Sequence, residues 1–139
     1  MIDFQTENVE MPVLDFRKVM LWLREVAANH GYRVGDLAYR FCSEEDILRY
    51  NNQYLGHDYY TDIITFDYTE GDIIGGDIFI SVDTIASNAE DLKLPYRDEL
   101  LRVIVHGVLH LCGINDHGPG EREIMEQEEN KALSLFNSL

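Results

Sequence analysis

Two histidines four residues apart, His106 and His110, carry the clearest chemical signal in this sequence. In a helix of 3.6 residues per turn, positions i and i+4 lie on one face, so both imidazoles point the same way. A core histidine is often satisfied by a hydrogen bond alone, and this spacing also arises by chance. A metal ion would satisfy both rings at once, whereas an unpaired buried polar group costs roughly 1–3 kcal/mol. The pair is therefore a candidate metal site.

The residues around this pair predict a buried helix that stops shortly before a third histidine. Gly113 suits the position after a helix C-terminus, and the short turn at 114–116 can bring His117 toward the same ion. Three neutral imidazoles with an open coordination position commonly hold a zinc ion that activates water. We therefore predict one Zn²⁺, or another divalent transition metal, held by His106, His110 and His117. The apolar residues that surround the pair on the helix are Leu100, Leu101, Val103, Ile104, Val105, Val108, Leu109 and Leu111.

The neighbours of the histidines limit the chemistry. Metalloprotease helices carry His-Glu-x-x-His with the glutamate as general base, but Gly107 occupies that place here, so a peptidase of that type would lack its base. Asp116 could coordinate the ion, orient a ligand or cap the turn. Cys112 follows His110 by two residues, which turns it away from the histidine face, and we do not expect it to be a ligand.

The histidine segment resembles the signature of the YbeY family of bacterial metal-dependent endoribonucleases. That signature reads His-Gly-x-Leu-His-Leu-x-Gly followed by Asp-His, and positions 106–113 and 116–117 match it. A second stretch matches another part of the family pattern in the right order. Its matching residues are Asn51, Tyr54, Asp58, Thr61, Asp62, Phe66 and 76–78. The resemblance covers most of the chain and implies an enzyme of ribosomal RNA maturation, with the small ribosomal subunit as its partner.

Three features depart from the family pattern. Ile114 and Asn115 stand between the glycine and Asp-His, where the family usually has one residue, which leaves Asp116 open as a replacement for the last histidine. Leu55 stands where the family has an arginine associated with nuclease activity, and Asp67 replaces a proline. Arginine offers phosphate a planar, permanently charged fork, and leucine offers nothing comparable.

The length and net charge of the chain limit its possible domain organisation and partners. With 139 residues and 45% hydrophobic composition, the chain predicts one domain, 1–139, with a buried core. Its net charge of −15 argues against unaided nucleic-acid binding, so an RNA enzyme would need a local basic patch or a partner that delivers the substrate. The sequence shows no membrane-spanning run, no signal peptide and no close-spaced cysteine motif. We therefore expect a cytoplasmic protein without membrane or DNA partners.

Hydrophobic periodicity predicts an alternation of strands and helices. Strands are expected at 2–6, 37–42, 63–68 and 75–81. Helices are expected after Asp15, after Ser43, around 85–92, through the histidine pair and from Glu121 onward, with 51–60 as a looser stretch. This order predicts an α+β domain with a small mixed sheet, packed helices and a buried central helix that carries the histidines.

Two other functions fit the same residues. A metal-dependent hydrolase of peptides or esters would need a carboxylate base that the sequence does not reveal. A ribosome-assembly factor with a structural metal would suit Leu55 and the acidic charge. Structural zinc sites usually have four protein ligands, so the number of ligands around the ion would separate these alternatives.

Overall fold

A four-stranded mixed sheet and five helices form the protein, and the computed structural model describes all 139 residues. The strands are β1 Ile2–Thr6, β2 Arg33–Cys42, β3 Ile63–Asp67 and β4 Ile73–Ser81. The helices are α1 Phe16–Asn29, α2 Glu44–Leu55, α3 Val82–Leu92, α4 Tyr96–Leu111 and α5 Glu121–Ser138. The sheet order is β1-β2-β4-β3, in which β1, β2 and β4 are parallel and β3 is antiparallel to β4. The predicted α+β fold with a mixed sheet is confirmed.

Two predicted helix starts are confirmed by their capping hydrogen bonds. The backbone N–H of Lys18 donates to the side chain of Asp15 at 3.2 Å, and that of Asp46 donates to the Ser43 hydroxyl at 3.2 Å. Each bond satisfies one of the donors that the first turn of a helix leaves unpaired. Local sequence therefore determines where α1 and α2 begin.

Helix α2 is longer than the sequence predicts. Residues 51–55, expected to belong to a loose segment, continue the helix, and Gly56 then ends it with a left-handed φ of 68°. The last turn of α2 is mostly polar in composition, but Tyr50 and Asn51 are buried against the rest of the protein. Tertiary packing of one face stabilises a helix whose own sequence only weakly favours it.

Helix α4 carries the histidine pair and is buried along most of its length, with ten buried residues. Gly107 lets the helix lie close to the sheet, because a Cβ at this position would stand 2.7 Å from Cδ1 of Ile78 in β4. The Tyr39 hydroxyl of β2 donates to the backbone oxygen of Ile104 at 2.6 Å. The predicted burial of this central helix is confirmed.

One face of α4 remains partly open. His106 and His110 are half-buried, so the expectation that both imidazoles lie in the core is wrong. Helix α5 packs beside α4 and is anchored by Trp22, whose indole N–H donates to the backbone oxygen of Ala132 at 2.7 Å. A cleft is left along the histidine face as a result. None of the helices is long and apolar enough to cross a membrane.

Replacing Gly107 with alanine is expected to lower the free energy of unfolding by about 1–2 kcal/mol, because the added methyl group overpacks against Ile78. The higher helix propensity of alanine offsets part of this cost. Urea unfolding measures the change. The Ile78→Val variant lacks the Cδ1 atom that the new methyl meets, so Gly107→Ala should cost less in that background. An equal cost in both backgrounds would contradict overpacking at this contact.

Candidate functional site

The three predicted histidines line one cleft of about 670 Å³ beside α4. Helices α4 and α5 and the turn between them form one part of its wall. The rest comes from residues around the start of β3 and from the end of α3 with the residues that follow it. The lining residues are Thr61, Asp62, Ile63, Thr65, Leu92, Leu94, Glu99, Arg102, Val103, His106, His110, Asp116, His117, Arg122, Met125, Glu126 and Glu129. Elements that are distant in sequence thus meet around the histidine face of α4.

His106 is held by a carboxylate from α5. Its Nδ1 lies 2.7 Å from Glu129 Oε2, and Arg102 donates to the other carboxylate oxygen of Glu129 at 3.0 Å. Arg102 also donates to the side-chain oxygen of Asn130 at 2.7 Å. A carboxylate beside Nδ1 favours the proton on that nitrogen and leaves Nε2 available, which is how histidine ligands are oriented in many metal proteins.

Opposing effects set the pKa of His106. Burial lowers this pKa. The hydrogen bond and charge of Glu129 and the charges of Asp116 and Asp62 together outweigh burial and raise the pKa above its ordinary value. Carboxylates that stabilise an added proton on the ring also stabilise a metal cation bound to the ring. The proton and the cation compete for the same ring nitrogen. The surroundings of His106 therefore favour a positive charge at this point of the cleft.

The third predicted ligand lies farther out. The side chain of His117 is 93% exposed, and its Nε2 lies 3.3 Å from Asp116 Oδ1. The other oxygen of Asp116 lies 3.5 Å from His106 Nε2, so this carboxylate stands between two histidines. No three His, Cys, Asp or Glu side chains come close enough together in this arrangement to hold a metal ion. The ligand set of His106, His110 and His117 stays a prediction, with all three residues on one cleft.

Three carboxyl groups of the cleft, those of Asp62, Glu99 and Glu129, are not among the residues predicted as ligands or catalytic groups. Asp62 belongs to the second stretch of the sequence that matches the family pattern. Glu99 precedes His106 by two helical turns, and Glu129 follows Met125 by four residues on the apolar stripe of α5. An acidic residue on an otherwise apolar helix face is the sequence signal by which Glu99 and Glu129 could have been identified.

Glu99 is a buried acid with an unsatisfied oxygen. The residue is only 6% exposed, and its Oε1 has no hydrogen-bond partner. Burial raises its pKa, and against the lowering effect of Arg102 the charges of Asp62 and Glu129 raise it further. Burial also raises the pKa of Asp62. Both carboxyl groups therefore hold a proton more readily than exposed acids do.

Acidic groups outnumber basic groups in the lining of the cleft. Five carboxyl groups face two guanidinium groups, those of Arg102 and Arg122. Such a lining attracts cations and repels a bare phosphate backbone. The local basic patch that would offset the net charge of −15 is not found in this cleft.

Comparison with known proteins places the chain in a family of endoribonucleases. The family model described as Endoribonuclease YbeY matches residues 1–137, and the chain belongs to that family. An endoribonuclease YbeY of Phocaeicola vulgatus is 64% identical, with 99% of each chain covered. One of Parabacteroides distasonis is 56% identical, with 97% of this chain and 95% of the relative covered. The family predicted from the histidine motif is confirmed.

A solved structure supports the fold independently. The solution structure of a Thermotoga maritima protein aligns with a TM-score of 0.63 over 99% of this chain and 93% of its own. At 24% sequence identity, this likeness shows a shared fold alone.

The raised pKa of Glu99 makes stability depend on pH in a testable direction. At a pH just above the ordinary pKa of a glutamic acid, Glu99 keeps its proton in the folded state but has lost it in the unfolded state. The stability that this group contributes is therefore full in acid and is lost as pH rises through the raised pKa. Glu99→Gln removes the titration, so its free energy of unfolding should exceed that of the wild type in mildly alkaline solution.

Urea unfolding over a series of pH values measures this effect. In acid, where Glu99 is protonated, the glutamine variant and the wild type should have nearly equal stability. Glu126→Gln is the matched control, because Glu126 lines the same cleft but is exposed. An identical pH dependence in Glu99→Gln and the wild type would contradict the assignment of a raised pKa.

Proposed function

We propose that the cleft is the active site of a metal-dependent endoribonuclease that processes ribosomal RNA. The chain belongs to a family named for an endoribonuclease, which agrees with the hydrolase and nuclease expected from the motif. The observation that carries the proposal is the position of His106 and His110 on one cleft-facing side of α4, with Glu129 holding the first ring. This role implies action in the cytoplasm on RNA of the small ribosomal subunit.

The donor groups of the cleft fit a zinc-type ion. The Glu129 contact occupies Nδ1 of His106 and leaves Nε2 available, and His110 lies about one helical turn away on the same wall. We assign the third ligand to His117, because histidine nitrogen is a softer match to zinc than a carboxylate and this exposed side chain has room to turn. Asp116 is the alternative, since its carboxylate already lies 3.5 Å from His106 Nε2.

Different groups of the cleft would have different roles in the hydrolysis of a phosphodiester. A zinc-type ion would lower the pKa of a water molecule toward ~7 and polarise a phosphoryl oxygen. Glu129 keeps the ring of His106 oriented, and Arg102 keeps Glu129 in place. Burial raises the pKa of Glu99 and of Asp62, so each takes up a proton more readily than an exposed acid, and each proton would make the cleft less negative toward a phosphate.

The acidic character of the protein favours a substrate that a partner presents. The net charge is −15, and Leu55 lies exposed at the end of α2 in place of the family arginine. Both features weaken the binding of free RNA, because affinity for a phosphate backbone comes mainly from cationic side chains. We expect weak cleavage of naked RNA and stronger cleavage in ribosomal particles. The same features favour one other candidate, an assembly factor in which the metal is structural.

Metal analysis combined with cleavage assays on precursor ribosomal RNA tests the proposal. His110→Ala should lose both stoichiometric metal and cleavage, because it removes one of the two helix imidazoles. His117→Ala should lose far more metal affinity than Asp116→Ala if the histidine is the third ligand. His30→Ala is the matched control, since His30 lies outside the cleft and pairs with Glu128 at 3.3 Å.

The possible outcomes separate the alternatives. Cleavage of precursor RNA, free or in ribosomal particles, by the metal-loaded wild type supports the endoribonuclease. A fully metal-loaded protein that is inert on both substrates would reject it in favour of the assembly factor. Full metal occupancy in His110→Ala would reject the histidine site, and a larger loss in Asp116→Ala than in His117→Ala would reassign the third ligand.

Leu55→Arg should raise the cleavage of free RNA by about tenfold without a change in metal content, because a guanidinium forms charge-assisted hydrogen bonds with phosphate. Leu55 is exposed, so the longer side chain should not disturb the core. Initial rates on a precursor fragment measure the gain, and Leu55→Gln serves as a neutral polar control. If the arginine and glutamine variants cleave at the same rate, this position does not contact the substrate through its charge.

A further inference from the structure

Strand β3 is an edge of the sheet, and its free side borders the cleft. In the order β1-β2-β4-β3 it pairs with β4 alone. Ile63 and Thr65 of this strand line the cleft together with His106 and His110 of α4. An edge strand presents a row of unpaired backbone N–H and C=O groups, which can pair with another extended chain. One wall of the cleft can therefore form hydrogen bonds with a polypeptide backbone.

The pairing of β3 with β4 shows which backbone groups are free. The Ser81 N–H donates to the backbone oxygen of Asp62 at 3.0 Å, and the Tyr68 N–H donates to that of Gly75 at 2.9 Å. In an antiparallel pair, every second residue exchanges these bonds with its neighbour. The even-numbered residues of β3 therefore face β4, and the odd-numbered residues direct their N–H and C=O groups away from the sheet.

Thr65 has the most available backbone groups of this edge. No backbone hydrogen bond outside the helices and strands engages Ile63, Thr65 or Asp67. The Thr61 hydroxyl donates to the backbone oxygen of Ile63 at 3.3 Å, whereas no side chain forms a hydrogen bond with the backbone of Thr65. Thr65 is half-buried, so water serves its polar groups only from the cleft side. A second chain laid along β3 would pair them.

The lining beside this edge favours a cationic ligand. Five carboxyl groups face two guanidinium groups in the cleft. Arg102 is already paired with Glu129 at 3.0 Å, while Oε1 of Glu99 has no hydrogen-bond partner and Glu126 is exposed. The net charge of −15 adds a long-range attraction for cations. Lysine and arginine side chains are therefore the groups that this lining suits.

Two leucines complete the match to a basic polypeptide. Leu92 and Leu94 line the same cleft and are 59% and 43% exposed. Lysine and arginine cover apolar surface with their hydrocarbon stems while their charged heads stay in contact with polar groups. The free edge suits the backbone of such a segment, the leucines its stems and the carboxylates its heads. A nucleic-acid strand lacks the alternating N–H and C=O groups that an edge strand pairs.

We propose that the free edge of β3 binds an extended basic segment of a partner protein by strand addition, with lysine or arginine side chains against the carboxyl groups of the cleft. The inference goes beyond the proposed ribonuclease function and does not depend on it. A segment bound there occupies the cleft proposed for RNA, so it would inhibit RNA cleavage.

Fluorescence anisotropy with a labelled peptide of about eight alternating lysine and valine residues tests the proposal on the metal-loaded protein. Two further peptides carry backbone N-methyl groups on all lysines or on all valines. In strand addition only one of these sets of N–H groups faces β3, so one methylated peptide should bind about tenfold more weakly than the other. A peptide with glutamine in place of lysine should also bind about tenfold more weakly, and added salt should weaken the binding of the lysine peptide.

Thr65→Pro removes one free N–H from the edge and should raise Kd about fivefold, in line with the loss of one hydrogen bond. Proline is tolerated on edge strands where the N–H faces away from the sheet. Thr65→Val keeps the N–H and should bind like the wild type. Thr6→Pro is the matched control on the opposite edge, because the Glu7 N–H donates to Phe41 at 2.9 Å and the N–H of Thr6 therefore points outward.

Several results would overturn the proposal. These are no binding by the wild type, equal affinities of the two methylated peptides, undiminished binding by a folded Thr65→Pro variant, or an equal loss in Thr65→Val. Urea unfolding shows whether the proline variant is folded, and the methylated peptides decide the question on the wild type if it is not.

Two further outcomes concern the identity of the ligand. Undiminished binding of the glutamine peptide would show that the edge does not select basic segments. Tighter binding of single-stranded RNA than of the lysine peptide would show that the cleft selects nucleic acid instead. The ribonuclease function is tested separately, by cleavage of precursor RNA in the absence of any peptide.

Discussion

Burial of α4 against the sheet is the constraint on which the rest of the structure depends. Ten of its sixteen residues are buried, and Gly107 permits the close approach to Ile78. A helix packed this tightly cannot slide or rotate to suit a ligand, since interiors are close-packed and small displacements cost contacts. The positions of His106 and His110 are therefore set by the core, which would preorganise the two helix ligands of the proposed metal site.

Helix α5 supplies the second half of the site from far along the chain. Trp22 fixes α5 through its hydrogen bond to Ala132 and its edge-on contact with Phe136, whose ring centroid lies 5.0 Å away. This anchoring brings Glu129 to His106, where Arg102 completes a chain of mutually satisfied charges. Because buried charges are tolerated only when they are paired, each member of this chain depends on the others.

Much of the fold and part of the site could be predicted from local sequence, because caps and periodicity are local properties. Asp15 and Ser43 begin their helices as predicted, and the histidine helix is buried. Periodicity cannot say which neighbour covers each face of a helix, so the expectation of two core imidazoles was wrong. Glu129 joins the site through tertiary packing across 23 residues of sequence, which no local pattern reveals. The proposed third ligand could not be settled from the sequence, because it depends on the conformation of the turn after α4, where the side chain of His117 is exposed.

The charge of the protein acts on the approach of RNA rather than on events inside the cleft. At physiological ionic strength the screening length is about 8 Å, so carboxylates on remote faces contribute little at the histidines. Within the cleft, the raised pKa values of Glu99 and Asp62 and a bound cation would each reduce repulsion of a phosphate. Outside the cleft nothing comparable offsets the net charge of −15, which slows encounters with free polyanions. A substrate already held by other proteins avoids this slow encounter, so the acidic surface favours the proposed preference for RNA that a partner presents.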